Sequence, residues 1–289
     1  MIPAPFANPL RFCFMKTLYE SIDKAASNKG QAASVKKHLA AVGINDWNEL
    51  TKSNLYELRD HLNESVAPNT AKTILASLKS ILHRYEEEVE LPRGWEIIVT
   101  ARGEKPQKTY LTRKEIEQFA GVETRGEVER YVKACFLVSC WTGMRVSDAK
   151  RITPENIKDG TLSYVSEKTG VLSVIPAKPG LWEQIQIVQE REQDMYLATY
   201  NDAVRRLARR AGITEPVKVH RAGHTKTMPK WAALSSHSGR VSIATCLADA
   251  GVSLIDTCRV LGHTSTSMTE RYVVKTKPEL SAKAMRYFE

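Results

Sequence analysis

Apolar residues recur at three- and four-residue intervals from Leu18 to Tyr85, the period of one helix face. Leu18, Ile22 and Ala25–Ala26 define a first helix. Val35, Leu39 and Val42 define a second, with Gly43 following as a C-terminal stop. Leu55, Leu58 and Leu62 mark a third. The clearest series, Ala71, Ile74, Leu75, Leu78, Leu82 and Tyr85, starts just after Pro68 and Asn69 and predicts a fourth. Four short helices of this kind bury their apolar stripes against one another, so residues 15–92 read as a small helical bundle.

The pattern then breaks. The stretch 91–109, LPRGWEIIVTARGEKPQKT, carries Pro92, Gly94, Gly103 and Pro106 among several cations and reads as interdomain connection, with the linker placed at 93–109. Thr112 and Glu115 make a capping-box pair ahead of Ile116 and Phe119, opening a second domain over 110–289. Val128, Val132, Cys135 and Phe136 predict helix within 127–152, interrupted at Thr142–Gly143. Alternation over 161–176, turning at Lys168–Gly170, predicts a β-hairpin. A helix over 199–211 bears Arg205, Arg206, Arg209 and Arg210, and residues 217–234 hold a Gly223–His224 turn between short extended runs, with His220 and His224 read as loop residues. After Ser236 the chain is helical, broken at Gly251 and Gly262. The final stretch, KTKPELSAKAMRYFE, sets Leu280, Ala284 and Phe288 on one side of a short helix that needs a pocket to be stable. Trp141, Trp182 and Trp231 are assigned to the core. The fold class is therefore mainly α with a small β component, and residues 1–14 form an N-terminal tail.

Charge sharpens the picture. The 289 residues hold 42 Lys and Arg against 33 Asp and Glu, a net charge of +9. Of these, 14 basic and 13 acidic residues precede Gln107, while 28 and 20 follow it. An excess concentrated in the second domain favours a polyanionic partner, nucleic acid before an acidic membrane surface. Five cysteines (Cys13, Cys135, Cys140, Cys246, Cys258) form no CxxC pair and read as reduced thiols of a cytoplasmic protein. No apolar run approaches the roughly 20 residues of a membrane span, and the first residues lack a signal-peptide layout, so no membrane partner is expected. Met15 is an alternative start to Met1.

Three polar stretches border apolar helices: TGMRVSD (142–148), SSHSGRVSIAT (235–245) and LGHTSTSMTERY (261–272); SEKTG (166–170) adds a hairpin tip. Their chemistry suits a phosphodiester. Arg145 and Arg240 can clamp non-bridging oxygens with paired, charge-assisted hydrogen bonds, and His263 can add a donor. Tyr272 can attack phosphorus. A phenol of pKa about 10 is only about one part in a thousand ionised at pH 7, so it needs an acceptor or nearby cations; His237 is suited to accept the proton. Lys168 can protonate the leaving 5′ oxygen, with Lys178 as the nearby alternative. No acidic cluster suited to magnesium accompanies the set, so neither metal nor cofactor is expected.

The order Arg, Lys, His-x-x-Arg, His, Tyr resembles the tyrosine recombinases of the phage-integrase family. The matches are Arg145, Lys168, His237 and Arg240 of HSGR, His263 of LGH, and Tyr272. Asp148 matches an acidic position that would orient Arg145, and Thr269 a threonine three before the nucleophile. The likeness is strong over 111–289 and looser over the bundle around NTAKTILASLKSIL, which would be a core-binding (SAM-like) domain. Two departures stand out: the stretch VKVHRAGHTKTMPKWAAL is longer than in simple members, and VSIAT replaces the commoner continuation after Arg240.

The resemblance implies a C-shaped clamp on double-stranded attachment sites and a 3′-phosphotyrosine intermediate. It also implies a homotetramer on DNA, exchange of the C-terminal helix between protomers, and directionality or accessory proteins. Integration or excision of a mobile element is the expected task. A Xer-like dimer resolvase, a type IB topoisomerase and a DNA-binding protein without catalysis are the alternatives. Arg205, Arg206, Arg209 and Lys226 are candidates for DNA contact. Against these stand plainer readings: His237 as a helix cap, the arginine cluster as a solvated face, Lys168 as a solvated turn residue.

Overall fold

A computed structural model describes residues 17–104, 108–190, 195–221 and 224–274. The N-terminal tail with Met15 and Cys13, and the C-terminal segment with Leu280, Ala284, Tyr287 and Phe288, lie outside the described residues. The chain divides into two compact units, one up to residue 106 together with 220–224 and the other comprising the rest.

The first unit is helical, with α1 (Leu18–Ala25), α2 (Lys29–Ala41), α3 (Lys52–Ser65), α4 (Pro68–Tyr85) and α5 (Trp95–Ile98). Local chemistry sets the starts. Thr17 and Glu20 close a capping box on α1, Asn28 and Thr51 accept the backbone N–H groups of Gln31 and Asn54, and Pro68 supplies a preset φ to the first turn of α4. Leu18, Ile22, Leu39, Leu55, Leu62, Leu75 and Leu82 pack into one core. The stretch read as linker enters that core: Trp95, Ile98 and Val99 are buried in it. Lys79 donates to the Glu96 carbonyl. The prolines and glycines around WEII masked a single apolar turn that starts at left-handed Gly94.

After residue 106 the chain runs α6 (Arg113–Ala120), α7 (Glu127–Thr142), α8 (Val146–Ala149), β1 (Ile157–Lys158), β2 (Thr161–Val165), β3 (Leu172–Pro176), α9 (Leu181–Gln189), α10 (Leu197–Arg210), β4 (Pro216–Arg221), β5 (His224–Pro229), α11 (Lys230–Ala233), α12 (Ser238–Asp249), α13 (Leu254–Leu261) and α14 (Thr266–Glu270); all but residues 220–224 belong to the second unit. Strands β1, β2 and β3 form an antiparallel sheet in that order, with Tyr164 opposite Ser173. β4 and β5 form a separate pair.

Helix α7 is the axis of this unit. Leu137, Val138 and Cys140 are buried with most of its other side chains, and α9, α10 and α12 pack around it. The crossing with α12 is close: a Cβ on Gly239 would stand 2.8 Å from Ser139 Cβ. The α12 start, which carries HSGR, is thus held directly against the end of α7.

Several expectations need correcting. His220 and His224 lie in strands rather than a loop, and His220 stands 3.5 Å from Glu104. Trp182 is not in the core, being 47% exposed. It is the second residue of α9, whose buried stripe is Leu181, Ile185 and Val188. Among the described residues no helix is long and apolar enough to cross a membrane.

Candidate active site

The site assembles where three loops meet the hairpin. Gly143 ends α7 in the left-handed region, with φ 76°, and Arg145 follows as the residue before α8. A side chain on Gly143 would be strained by that φ, and its Cβ would lie 2.5 Å from Leu261 Cδ2. Left-handed Gly262 ends α13 and turns the chain into His263. A Cβ on Gly262 would meet Ser173 Oγ of β3 at 2.6 Å, so two glycines bring α7, α13 and the hairpin together.

Arg240 lies under these turns and is 1% exposed. Its Nη1 donates to the Gly143 carbonyl and its Nη2 to the Leu261 carbonyl, each at 2.6 Å. The guanidinium therefore caps the C-terminal ends of two helices, where carbonyls lack helical partners and the dipole favours a cation. Burial, and secondarily Arg145, pull its pKa down, though an arginine remains charged. Arg145 donates from Nη1 to Ser166 Oγ at 2.9 Å, and Ser166 donates onward to Asp148 Oδ2 at 3.2 Å. Asp148, 4% exposed, also accepts the Glu167 N–H at 3.0 Å and an Arg151 Nη2 bond at 2.9 Å. One buried carboxylate thus fixes Arg145 and the start of the hairpin turn. Lys168 stands exposed on that turn. The neighbouring Thr169 hydroxyl donates to the Gly262 carbonyl at 3.4 Å. Lys178 instead lies 4.7 Å from the Trp141 ring centre.

Tyr272 follows α14, its N–H bonded to the Thr269 carbonyl. Thr245 of α12 donates to the Tyr272 carbonyl at 3.3 Å and accepts the Val274 N–H, pinning this backbone to α12. The Tyr272 hydroxyl stands 2.6 Å from His237 Nε2. Its ring centre is 4.9 Å from that of His263, and Arg240 lies 5.7 Å away. His237 occupies the N-cap position of α12 but makes no capping bond with its side chain, so the cap reading is replaced by the contact with Tyr272. His237 is exposed to solvent. Even so, the surrounding protein, then Lys108, Arg240, Arg145 and Lys168, hold its pKa down to about 4. A neutral ring with its proton on Nδ1 accepts the phenol's hydrogen bond at Nε2. Burial, then Arg240, Arg145 and Lys108, depress His263 to about 3. Its Nδ1 is 2.9 Å from the buried Thr269 hydroxyl. With that hydroxyl donating, the proton sits on His263 Nε2.

Two buried nitrogens in this cluster, His263 Nε2 and Arg240 Nε, have no hydrogen-bond partner among the described residues. Leaving such groups unpaired costs about 1–3 kcal/mol each. The cluster thus combines unmet buried nitrogens, a concentration of cations, and a phenol against a neutral imidazole. That arrangement suits an anion with several oxygens.

The arginines of α10 are differently placed. Arg210 pairs with Glu129, whose carboxyl its hydrogen bond holds down to about 2; Arg206 stands 3.8 Å from the same group. Arg205 binds Asp202 and the Leu234 carbonyl, and Arg209 lies over Trp231. Lys226 is exposed on β5. Sequence reasoning missed Lys108, whose Nζ is 3.4 Å from the Tyr272 ring centre, along with the supporting hydroxyls of Ser166 and Thr245. Lys108 gave no signal, being one cation in a stretch read as linker. Among the described residues no group of three or more His, Cys, Asp or Glu could hold a metal ion.

Comparison with known proteins agrees with the fold. The Tn1549 transposon integrase in complex with a circular intermediate DNA superposes with a TM-score of 0.66 at 15% identity, covering 94% of this chain and 100% of that one. A lambda integrase tetramer bound to a Holliday junction gives 0.63 at 16%, over 92% and 79%. The XerH site-specific recombinase bound to a palindromic difH substrate gives 0.62 at 16%, over 89% and 77%. No curated protein matches the sequence. The family model of the phage integrases spans residues 109–279, more than half of the chain, and the protein belongs to that family of tyrosine recombinases, enzymes of site-specific DNA recombination.

Proposed function

We propose that this chain cuts and rejoins DNA through a 3′-phosphotyrosine at Tyr272, without a metal. The observation that carries the reading is the Tyr272 hydroxyl held 2.6 Å from a neutral His237, beside buried nitrogens that lack partners. In the forward step Tyr272 Oη forms the bond to phosphorus and its proton passes to His237. The bond to the 5′ oxygen breaks, and that oxygen takes a proton from Lys168. Arg145, Arg240 and His263 Nε2 bind the non-bridging oxygens, whose charge grows in the transition state. Rejoining runs the step backwards with a 5′ hydroxyl of a partner strand as nucleophile. The ester energy is kept in the phosphotyrosine, so no nucleotide triphosphate is consumed.

DNA also resolves the electrostatics. Burial depresses both histidines most, and Lys108, Arg145 and Arg240 add to it at both, with Lys168 at His237 alone; an anionic phosphate offsets the field of these cations. Binding then raises the basicity of His237 when the phenol's proton must leave. We further propose that the enzyme serves integration or excision of a mobile element and assembles as a tetramer on paired sites. Domain roles follow the same reading, with the helical unit gripping DNA and the second unit cleaving it. A nicked suicide substrate tests the chemistry: wild-type protein accumulates a covalent adduct, and Tyr272→Phe binds the same DNA without forming one. A plain supercoil-relaxation assay separates recombinase from topoisomerase behaviour.

A further inference from the structure

Two cations stand over the Tyr272 ring among the described residues, and Lys108 is the nearer, its Nζ 3.4 Å from the ring centre against 5.7 Å for the Arg240 guanidinium. Cations attract aromatic faces at distances out to about 6 Å. The lysine does not reach the ring on a loose strand. Three residues on, fully buried Leu111 donates its N–H to Ser242 Oγ of α12 at 2.8 Å, and the Cys246 thiol faces the Leu111 carbonyl at 3.7 Å. Ser242 and Cys246 lie on the helix that begins beside His237, so the segment after Lys108 is docked on the element that holds the site. Lys108 falls one residue outside the stretch matched by the family model.

We propose that Lys108 is a positioning residue for the nucleophile: seated over the Tyr272 ring, its ammonium fixes the ring beside His237 and His263 and favours the phenolate. This rests on the reading of Tyr272 as the attacking group. Geometry separates its role from that of Lys168. In-line displacement puts the leaving 5′ oxygen across phosphorus from Tyr272 Oη. A cation on the phenol's ring is therefore on the nucleophile's side and supports proton loss there. Around this pair stand His237, His263, Arg240 and Arg271, with Arg145 also acting on both histidines and Lys168 on His237. Partial burial, then Arg271 and Arg240, bring Lys108 down to about 8. Its charge is therefore present below pH 8 and lost above it.

Single-turnover cleavage of a nicked suicide substrate between pH 6 and 10 tests this, with Lys108→Met, Lys108→Arg and Tyr272→Phe. Lys108→Met keeps the length without the charge. It should cleave about tenfold slower below pH 8, the rate factor of a half-buried cation–π contact intermediate between an exposed and a desolvated one, and approach wild type at high pH. Arginine should restore the rate. A 5′-bridging phosphorothiolate, which needs little leaving-group protonation, should not rescue Lys108→Met, although it should rescue Lys168→Ala. An unchanged pH profile for Lys108→Met would overturn the proposal. So would a uniform, pH-independent loss that arginine does not repair, or rescue by the phosphorothiolate. Adduct formation by Tyr272→Phe would instead remove the nucleophile reading on which it rests.

Discussion

Arg240→Lys separates two tasks carried by one guanidinium. The wild-type side chain closes two helix ends at once, through the Gly143 and Leu261 carbonyls at 2.6 Å. A lysine ammonium keeps the charge but lacks the planar fork that meets both carbonyls in fixed geometry. One buried carbonyl is then left unpaired, costing about 1–3 kcal/mol. For a unit of this size that is a fall in melting temperature of about 2–4 °C per kcal/mol. The second loss is catalytic. Arg240 Nε is buried without a partner among the described residues, and the proposed mechanism gives it a phosphate oxygen. Removing one preorganised donor of this kind costs on the order of a hundredfold in rate. Thermal unfolding followed by far-UV circular dichroism reads the first effect, and single-turnover cleavage at saturating protein reads the second. A variant with wild-type melting would refute the anchoring of two helix ends. A variant that cleaves at the wild-type rate would refute the phosphate clamp.

Four further outcomes follow from the same geometry. Asp148→Asn weakens the charged anchor for Ser166 and Arg151, so cleavage should fall with little change in DNA affinity, as measured by adduct formation and gel shift on one substrate. Gly143→Ala adds the left-handed strain, about 1–2 kcal/mol, to a contact with Leu261, and should lower both melting temperature and activity. Both site histidines have folded pKa values below the unfolded value near 6.5, so the unfolded chain binds more protons as pH falls. Stability is therefore complete above pH 6.5 and declines towards about pH 4 for His237 and about pH 3 for His263; His263→Gln should flatten the melting profile between pH 6 and 4. DNA containing the scissile phosphate should raise both histidine pKa values in an NMR titration, and unchanged values would argue that the phosphate does not enter this cluster.

Much of the second unit was legible because its signals are local. The hairpin alternation, the Thr112–Glu115 capping box and the glycines before Arg145 and His263 each act within a few residues. The order of Arg145, Lys168, His237, Arg240, His263 and Tyr272 named a chemistry before any distance was known. The sequence did not reveal what each polar group touches. Arg240 binding two helix ends depends on three segments that meet only in the fold, and Ser166 bridging Arg145 to Asp148 depends on hairpin register. Lys108 was hidden by proline- and glycine-rich surroundings. The same composition concealed α5, where one turn with Trp95 and Ile98 is too short for a periodic signal. The α10 arginines show what a basic run leaves out: Arg205, Arg206 and Arg210 meet acidic partners and Arg209 lies on Trp231, neighbours brought close only by the fold.

The most direct measurement is to locate the covalent bond. Wild-type protein is trapped on a nicked suicide substrate carrying its attachment site, digested with nuclease and trypsin, and sequenced by tandem mass spectrometry. A 3′-phosphonucleotide is expected on the tyrosine of the peptide Tyr272–Lys275, and no adduct from Tyr272→Phe. A nucleotide carried by Tyr287, Tyr164 or any other residue would contradict it, as would efficient strand exchange with no protein-linked nucleotide at all.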